Sequence, residues 1–306
     1  MDIWKELRGE GVDPALLEEI QHFRAAHPVP PEAEARIPVP QCLYYGTEVW
    51  ESAAAALLCG QHLLLAGPKA TGKNVLAENL AAVFGRPVWD VSMYVNVDAA
   101  ALIGADTLQK GEVVFREGPI CRCARLGGFG VLDEVNMAKN EALAVLHATL
   151  DHRRVIDVPG YERITLDEAT RFIGTMNYGY AGTRELNEAL VSRFAVLDMP
   201  VISEEDLQKL LRRTFPTLSA KWAEQFALLF RDLRQKCDSG EISTKALDLR
   251  GLLAALRLME TGIPSGQAMK LGIINKVFEP FERQLAADTV WARIPRDLSR
   301  SQLFGA

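Results

Sequence analysis

No apolar run in the chain approaches the roughly 20 residues that cross a bilayer as a helix. The opening Met1-Asp2-Ile3-Trp4-Lys5-Glu6 has none of the regions of a secretory leader. A membrane-spanning helix is excluded, no membrane partner is expected, and a cytoplasmic setting follows. Cysteine is scarce: Cys42, Cys59, Cys121, Cys123 and Cys237 are the five in 306 residues. An odd, scattered set is not a disulfide framework. Cys121-Arg122-Cys123 lacks a second pair at zinc spacing, and only His147 and His152 stand nearby as nitrogen ligands. Buried thiols in a reducing compartment are expected there, not a metal. A basic excess is also missing, since 34 Lys and Arg face 40 Asp and Glu for a net charge of −6. That balance argues against a nucleic-acid partner. Internal repeats and low-complexity stretches are absent as well. What remains, 48% hydrophobic and 24% charged, is a globular composition with material for one large or two modest domains.

The most informative stretch is Gly67-Pro68-Lys69-Ala70-Thr71-Gly72-Lys73-Asn74. It follows the apolar run 63–66, which reads as a short buried strand. Val75, Leu76, Leu80 and Val83 follow at helical spacing, and Gly85-Arg86-Pro87 stops the helix. Strand, glycine loop and helix in that order build a phosphate cradle. Glycines let backbone N–H groups turn toward the anion, and the helix N-terminus adds its dipole. Lys73 is placed to reach β- and γ-phosphates. The residue after it ordinarily carries a hydroxyl for Mg²⁺, and here it is Asn74. An amide oxygen is also a magnesium ligand, but a longer one, so ATP binding with slow turnover is expected.

Three segments are expected. Residues 1–40 form a small unit with a helix after Asp13-Pro14 and a proline-rich arm, 27–31 and 37–40, that is extended rather than folded. Over 41–200 strand candidates at 63–66, 87–91, 130–133, 172–175 and 195–199 alternate with helices near 50–58, 75–84, 139–150 and 185–192. Such alternation gives a three-layer αβα parallel sheet. Two hairpins interrupt it, 107–115 turning at Lys110-Gly111 and 154–166 turning at Pro159-Gly160. Over 201–306 the pattern is helical throughout. Ser203-Glu204-Glu205-Asp206 opens a helix, and Leu218, Trp222, Phe226, Leu229 and Leu233 form a stripe. Leu252, Leu253, Leu256 and Met259 form another, and Ile273, Val277, Phe281 and Leu285 suggest a fourth helix with its aromatics in the core.

Some sixty residues after Lys73, an apolar strand ends in Asp133-Glu134. The first acid suits the Mg²⁺ water shell and the second suits orienting and deprotonating water. Phe172-Ile173-Gly174-Thr175-Met176-Asn177 is a further strand with Asn177 at its tip, where it can place that water or contact the γ-phosphate. Arg193 ends a short helix before a strand, as an arginine acting on a γ-phosphate would. Arg250, in Leu247-Asp248-Leu249-Arg250-Gly251, can fold back on the phosphates.

These residues resemble the AAA+ ATPases. Gly67 to Asn74 looks like Walker A, Val131-Leu132-Asp133-Glu134 like Walker B and Thr175-Met176-Asn177 like sensor 1. Ser192-Arg193-Phe194 is similar to the arginine finger, and Arg250 to sensor 2. Glu117-Gly118-Pro119-Ile120 after a hairpin, Asp133-Glu134-Val135-Asn136, and the run 186–194 resemble the MoxR-like and dynein-related branch. The likeness covers about 41–260, and Ala70 departs from it at a loop position usually filled by Gly. It implies a P-loop domain with a C-terminal helical lid, ATP and Mg²⁺ as ligands, and Glu134, Asn177, Arg193 and Arg250 in catalysis. Gly67, Pro68, Lys69, Ala70, Thr71, Gly72, Lys73, Asn74 and Val75 would bind nucleotide, and Asn74 and Asp133 would bind magnesium. It further implies a homo-oligomeric ring, commonly a hexamer, with Arg193 acting on the neighbour's ATP. A protein client would be remodelled or activated, with a von Willebrand factor A adaptor frequent in such systems. Two other readings stand beside this one. Asn74 suits an ATP-gated assembly scaffold with negligible hydrolysis, and the branch also includes DNA-associated motors.

Overall fold

The computed structural model describes residues 2–158, 160–178 and 185–305. Pro159, in the expected hairpin turn, lies outside them. The chain divides into two compact units, one of residues 1–68 and 72–200, the other of 201–306 together with 69–71. Among the described residues no helix is long and apolar enough to cross a membrane.

The first unit is built on a sheet of β1 (His62–Gly67), β2 (Val88–Ser92), β5 (Phe129–Asp133), β8 (Arg171–Asn177) and β9 (Phe194–Asp198). Their order is β2-β5-β8-β1-β9, and every pair is parallel. β1 is buried along its whole length, as a strand covered on both faces must be, which explains its uninterrupted apolar run. The register sets Gly67 beside Asn177 and Ser92 beside Asp133. The carboxyl ends of β1, β5 and β8 therefore meet at one edge, where ligands of such sheets bind. Two antiparallel hairpins stand apart from the sheet, β3 (Gly104–Gln109) with β4 (Glu112–Glu117), and β6 (Val155–Ile156) with β7 (Ile164–Thr165). The first turns at Lys110 and Gly111, as expected, and carries Leu108 and Val113 opposite each other, 77% and 66% exposed.

Helices of this unit are α1 (Ile3–Gly9), α2 (Pro14–Ala26), α3 (Pro31–Glu34), α4 (Thr47–Leu58) and α5 (Lys73–Phe84). α6 (Ala99–Ile103), α7 (Pro119–Arg125), α8 (Asn140–Leu143), α9 (His147–Leu150) and α10 (Glu188–Val191) follow. α5 starts after Gly72, buries Leu76, Leu80 and Val83, and ends on left-handed Gly85. The single helix expected over 139–150 is instead α8 and α9 joined by a 3₁₀ turn, Ala144–Leu146. The tighter turn keeps Leu143, Leu146 and Leu150 buried. The helix expected at 185–192 shrinks to the one turn of α10, capped by Asn187.

Residues 1–40, expected as a unit of their own, pack within the first unit. Phe23 of α2 meets Phe84 of α5 edge-on at 5.3 Å, and Arg86 donates to His27 O at 2.6 Å. The arm is not wholly extended either. Pro31 starts the one-turn α3, its missing N–H costing nothing at that position. Beyond it the arm runs against β2: Val88 N–H donates to Arg36 O at 3.0 Å, Arg36 Nη1 donates to Val88 O at 3.1 Å, and its guanidinium lies over the Trp89 ring.

The second unit is helical: α11 (Glu204–Thr214), α12 (Ala220–Asp238), α13 (Leu249–Glu260), α14 (Ser265–Gly272), α15 (Pro280–Arg293) and α16 (Arg300–Leu303). Ser203 caps α11 through the Asp206 N–H at 3.0 Å. Arg293 of α15 donates to Asp232 of α12 at 2.8 Å. The apolar spacing from Ile273 to Leu285 misleads. α14 stops at Gly272, a 3₁₀ turn covers Ile274–Lys276, and Pro280 begins a new helix. Phe278 and Phe281 are consequently 72% and 69% exposed instead of core.

Candidate functional site

Gly72 closes the loop after β1 with φ of +81°, in the left-handed region that favours glycine. A β-carbon there would lie 3.0 Å from the Tyr44 ring, and one on Gly67 would lie 2.9 Å from Met199 O. Gly67 is thus required by close approach to backbone and Gly72 by its backbone angle, with the Tyr44 ring close enough that a side chain there would have to displace it. Ala70, where the resemblance expects glycine, also takes a positive φ, +64°. This costs an L-residue about 1–2 kcal/mol. The N-terminus of α5 carries no side-chain cap, which leaves the helix end to an anion.

Lys73 is buried and folds back on its own loop, donating to Gly67 O at 3.0 Å and Pro68 O at 2.7 Å. Burial pulls its pKa down to about 8, while Asp133 and Glu134 oppose the shift. A polyphosphate offers this ammonium stronger acceptors than two carbonyls do. Loop, helix end and lysine therefore fit a nucleotide phosphate.

Asp133 and Glu134 end β5 and are tied into a net that joins three chain segments. Asn74 Nδ2, on the first turn of α5, donates to Asp133 Oδ1 at 3.1 Å. The Thr175 hydroxyl, on β8, donates to the same oxygen at 2.7 Å. Glu134 N–H donates to Thr175 Oγ1 at 3.0 Å, and Asn177 Nδ2 donates to Glu134 Oε1 at 3.0 Å. Asn136 Nδ2 in turn donates to Asn177 O at 2.8 Å, fixing the tip of β8. Glu134 itself is left-handed, φ +55° and ψ +50°, so its side chain leaves the strand at an angle that a regular β5 would not give. Left-handed backbone at a non-glycine residue persists where surrounding contacts hold it, and these do.

Beside the Asn74–Asp133 pair opens a cavity of about 530 Å³, also lined by Arg36, Glu78, Asp90 and Ser92. Burial raises the pKa of Glu78 and of Asp90, and each is raised further by a neighbouring carboxylate, Asp90 for the first and Asp133 for the second. Magnesium keeps several waters when it binds one or two carboxylates. Asp133 supplies a carboxylate that fits a hydrated magnesium ion, whereas Asn74 turns its amide donor to Asp133 and would offer such an ion its oxygen only with the amide reversed.

The fold draws Lys73, Asn74, Asp133, Glu134 and Asn177, all expected from the sequence, into one locality. Arg193 is held elsewhere in the unit. It donates to His147 O at 3.0 Å and to Ala189 O, and lies 3.6 Å from Asp151. Hydrogen bonds from Arg153 keep the Asp151 carboxyl well below the usual range. Arg250 is exposed on the first turn of α13, in the second unit. Two bridging residues were missed as such, Thr175 and Asn136. The signal available for Thr175 was the lone hydroxyl in a strand that is apolar between Arg171 and Asn177 at its ends. Cys121 and Cys123 are buried as expected, and burial pushes the Cys121 thiol up to about 12. Among the described residues no cluster of His, Cys, Asp and Glu could hold a metal by itself.

Comparison with known proteins bears on the same residues. The family model described as "AAA domain (dynein-related subfamily)" matches residues 62–194, from the start of β1 to the start of β9. The uncharacterized protein YojN of Bacillus subtilis (strain 168) is 33% identical over 276 residues, 88% of this chain and 90% of its own. The uncharacterized protein SAB1265c of Staphylococcus aureus (strain bovine RF122 / ET3-1) is 34% identical over 248 residues, 79% of this chain and 94% of its own. A crystal structure from Cytophaga hutchinsonii ATCC 33406 aligns over 92% of this chain and 90% of its own, at 16% identity and a TM-score of 0.47. The strand order rests on the coordinates alone.

Proposed function

We propose that this chain, which belongs to the AAA domain family in its dynein-related subfamily, hydrolyses ATP and uses the hydrolysis to remodel or activate a partner protein. The AAA domain implies nucleotide binding. The observation that carries the step to hydrolysis is the net around Asp133 and Glu134. A chain that only bound nucleotide would have no use for a carboxylate turned out by a left-handed residue and gripped by Asn177.

In this reading Lys73 leaves the Gly67 and Pro68 carbonyls for the β- and γ-phosphates. Asp133, with Asn74 once its amide is reversed, would hold a magnesium ion, which would neutralise charge on those phosphates. Glu134 orients a water and takes its proton as the water oxygen bonds to the γ-phosphorus and the bond to ADP breaks. Asn177 holds the Glu134 carboxylate for that task. Arg193 is tied to neither the loop nor β5, which favours a role on the ATP of a neighbouring copy in a ring, and Arg250 keeps the phosphate-directed role that its likeness to sensor 2 implies. The client, an adaptor of von Willebrand factor A type and a six-membered, MoxR-like ring belong to the same proposal.

A second reading has its own observation. Asn74 spends its amide donor on Asp133, and a site so tied suits an ATP-gated scaffold with negligible turnover. Steady-state phosphate release separates the two. Turnover above that of Lys73→Ala, lost in Glu134→Gln while ATP binding persists, supports the hydrolase. Release no faster than Lys73→Ala, with ATP still bound, overturns it in favour of the scaffold.

A further inference from the structure

We infer that Thr175 is a positioning residue, whose single hydroxyl sets the magnesium-facing carboxylate and the water-activating carboxylate at a fixed offset from each other. This rests on the hydrolase reading and adds a residue to it.

Thr175 is 1% exposed, in a stretch of β8 whose other members, Phe172, Ile173 and Gly174, are apolar or lack a side chain. It pairs with Leu65 of β1, so its strand position is secured by backbone register. A valine there would match its shape and its preference for a strand. The hydroxyl is therefore not needed to fill space. It donates to Asp133 Oδ1 at 2.7 Å and accepts from the Glu134 N–H at 3.0 Å. One atom thus binds the side chain of one acid and the backbone of the next.

The Glu134 backbone is where control is needed. Its left-handed φ of +55° aims the carboxylate, and two contacts from β8 hold it, the Thr175 hydroxyl on its N–H and the Asn177 amide on its Oε1. Asn177 alone would hold the end of a flexible side chain. Thr175 fixes the point from which that side chain departs. Its second bond, to Asp133, makes the same fixing depend on the residue that faces the cation. Without the hydroxyl, the half-buried Glu134 N–H loses its partner, Asp133 loses a charge-assisted bond, and both acids lose their common reference.

The test compares Thr175→Val and Thr175→Ser with the parent, reading turnover by phosphate release, affinity for a non-hydrolysable ATP analogue, and melting temperature. Loss of one hydrogen bond to a charged group corresponds to about tenfold to hundredfold in rate. Thr175→Val is expected to lower kcat by that factor, with analogue affinity within threefold and folding retained, and Thr175→Ser is expected to recover most of the loss. Thr175→Val turning over like the parent overturns the inference. So does a valine variant that loses analogue binding and turnover together, or a serine variant no better than valine. A parent that releases no more phosphate than Lys73→Ala overturns the hydrolase reading itself and this role with it. A working parent beside an unaffected valine variant removes the role alone.

Discussion

Replacing Asn74 by threonine tests how the site is tuned. The Asn74 amide donates to Asp133 Oδ1 at 3.1 Å, and that oxygen already accepts from Thr175 at 2.7 Å. A hydrogen bond to a charged acceptor is worth about 1.5–3 kcal/mol. A cation drawn to Asp133 must compete with that bond, and an amide donor repels it where a hydroxyl oxygen would coordinate it. If only the lower end of the range is recovered, about 1.5 kcal/mol, half-saturating free Mg²⁺ falls about tenfold. Turnover at saturating Mg²⁺ should rise several-fold, since the phosphates and the ion then share a better-formed site. Phosphate release is measured at fixed, saturating ATP over a titration of free Mg²⁺, with Asn74→Ser alongside and Lys73→Ala as the blank. Unchanged half-saturation together with unchanged turnover in both hydroxyl variants would refute the reasoning. It would show that the Asn74–Asp133 contact gives way to the ion at no cost.

Other expectations follow from the same geometry. Burial brings Lys73 down to about 8, so its charge is complete below that pH and is lost as pH rises through it. ATP affinity, measured calorimetrically, should be flat below pH 8 and weaken up to about tenfold per unit above it, with proton uptake on binding; affinity flat to pH 10 would contradict this. Gly72→Ala should abolish nucleotide binding, whereas Gly111→Ala, with a similar φ of +87° but open space around it, should bind like the parent. A Gly72→Ala chain that binds nucleotide like the parent would contradict this. Arg193→Ala and Glu134→Gln chains, each inactive alone, should recover measurable turnover when mixed if Arg193 serves a neighbour's ATP, because the mixture forms sites with both groups intact. No recovery in a mixture shown to co-assemble would count against that role.

The phosphate loop, the acid pair and the tip of β8 were legible because their chemistry requires particular residue types at strand ends, and strands announce themselves by apolar runs. The parallel sheet followed from alternation for the same reason. What escaped detection was carried by the backbone or by orientation. The arm over β2 is held through Arg36 O and Val88 N–H, groups common to nearly every residue, and through an Arg36 guanidinium whose partners, Val88 O and the Trp89 ring, lie some fifty positions away. The Ile273 to Leu285 spacing mimics a helix across a break that Pro280 imposes. Asn74 was visible as a departure, yet that its amide N–H end faces Asp133 follows from a contact with an acceptor-only carboxylate 59 positions away. Thr175 and Asn136 stood within the quoted motifs without a role of their own, because what they do is bridge segments some forty positions apart in sequence.

The strap of Arg36 across β2 has a bearing on solubility. An open sheet ends in a strand whose outward peptide groups can recruit any extended chain, and the usual defence is to cover, charge or interrupt it. Here a cationic side chain clasps the terminal strand and sits on its tryptophan. A version trimmed at its leading end, up to the close of the proline-rich stretch, would uncover that margin and invite copies to stack edge to edge, in an arrangement unrelated to any productive assembly.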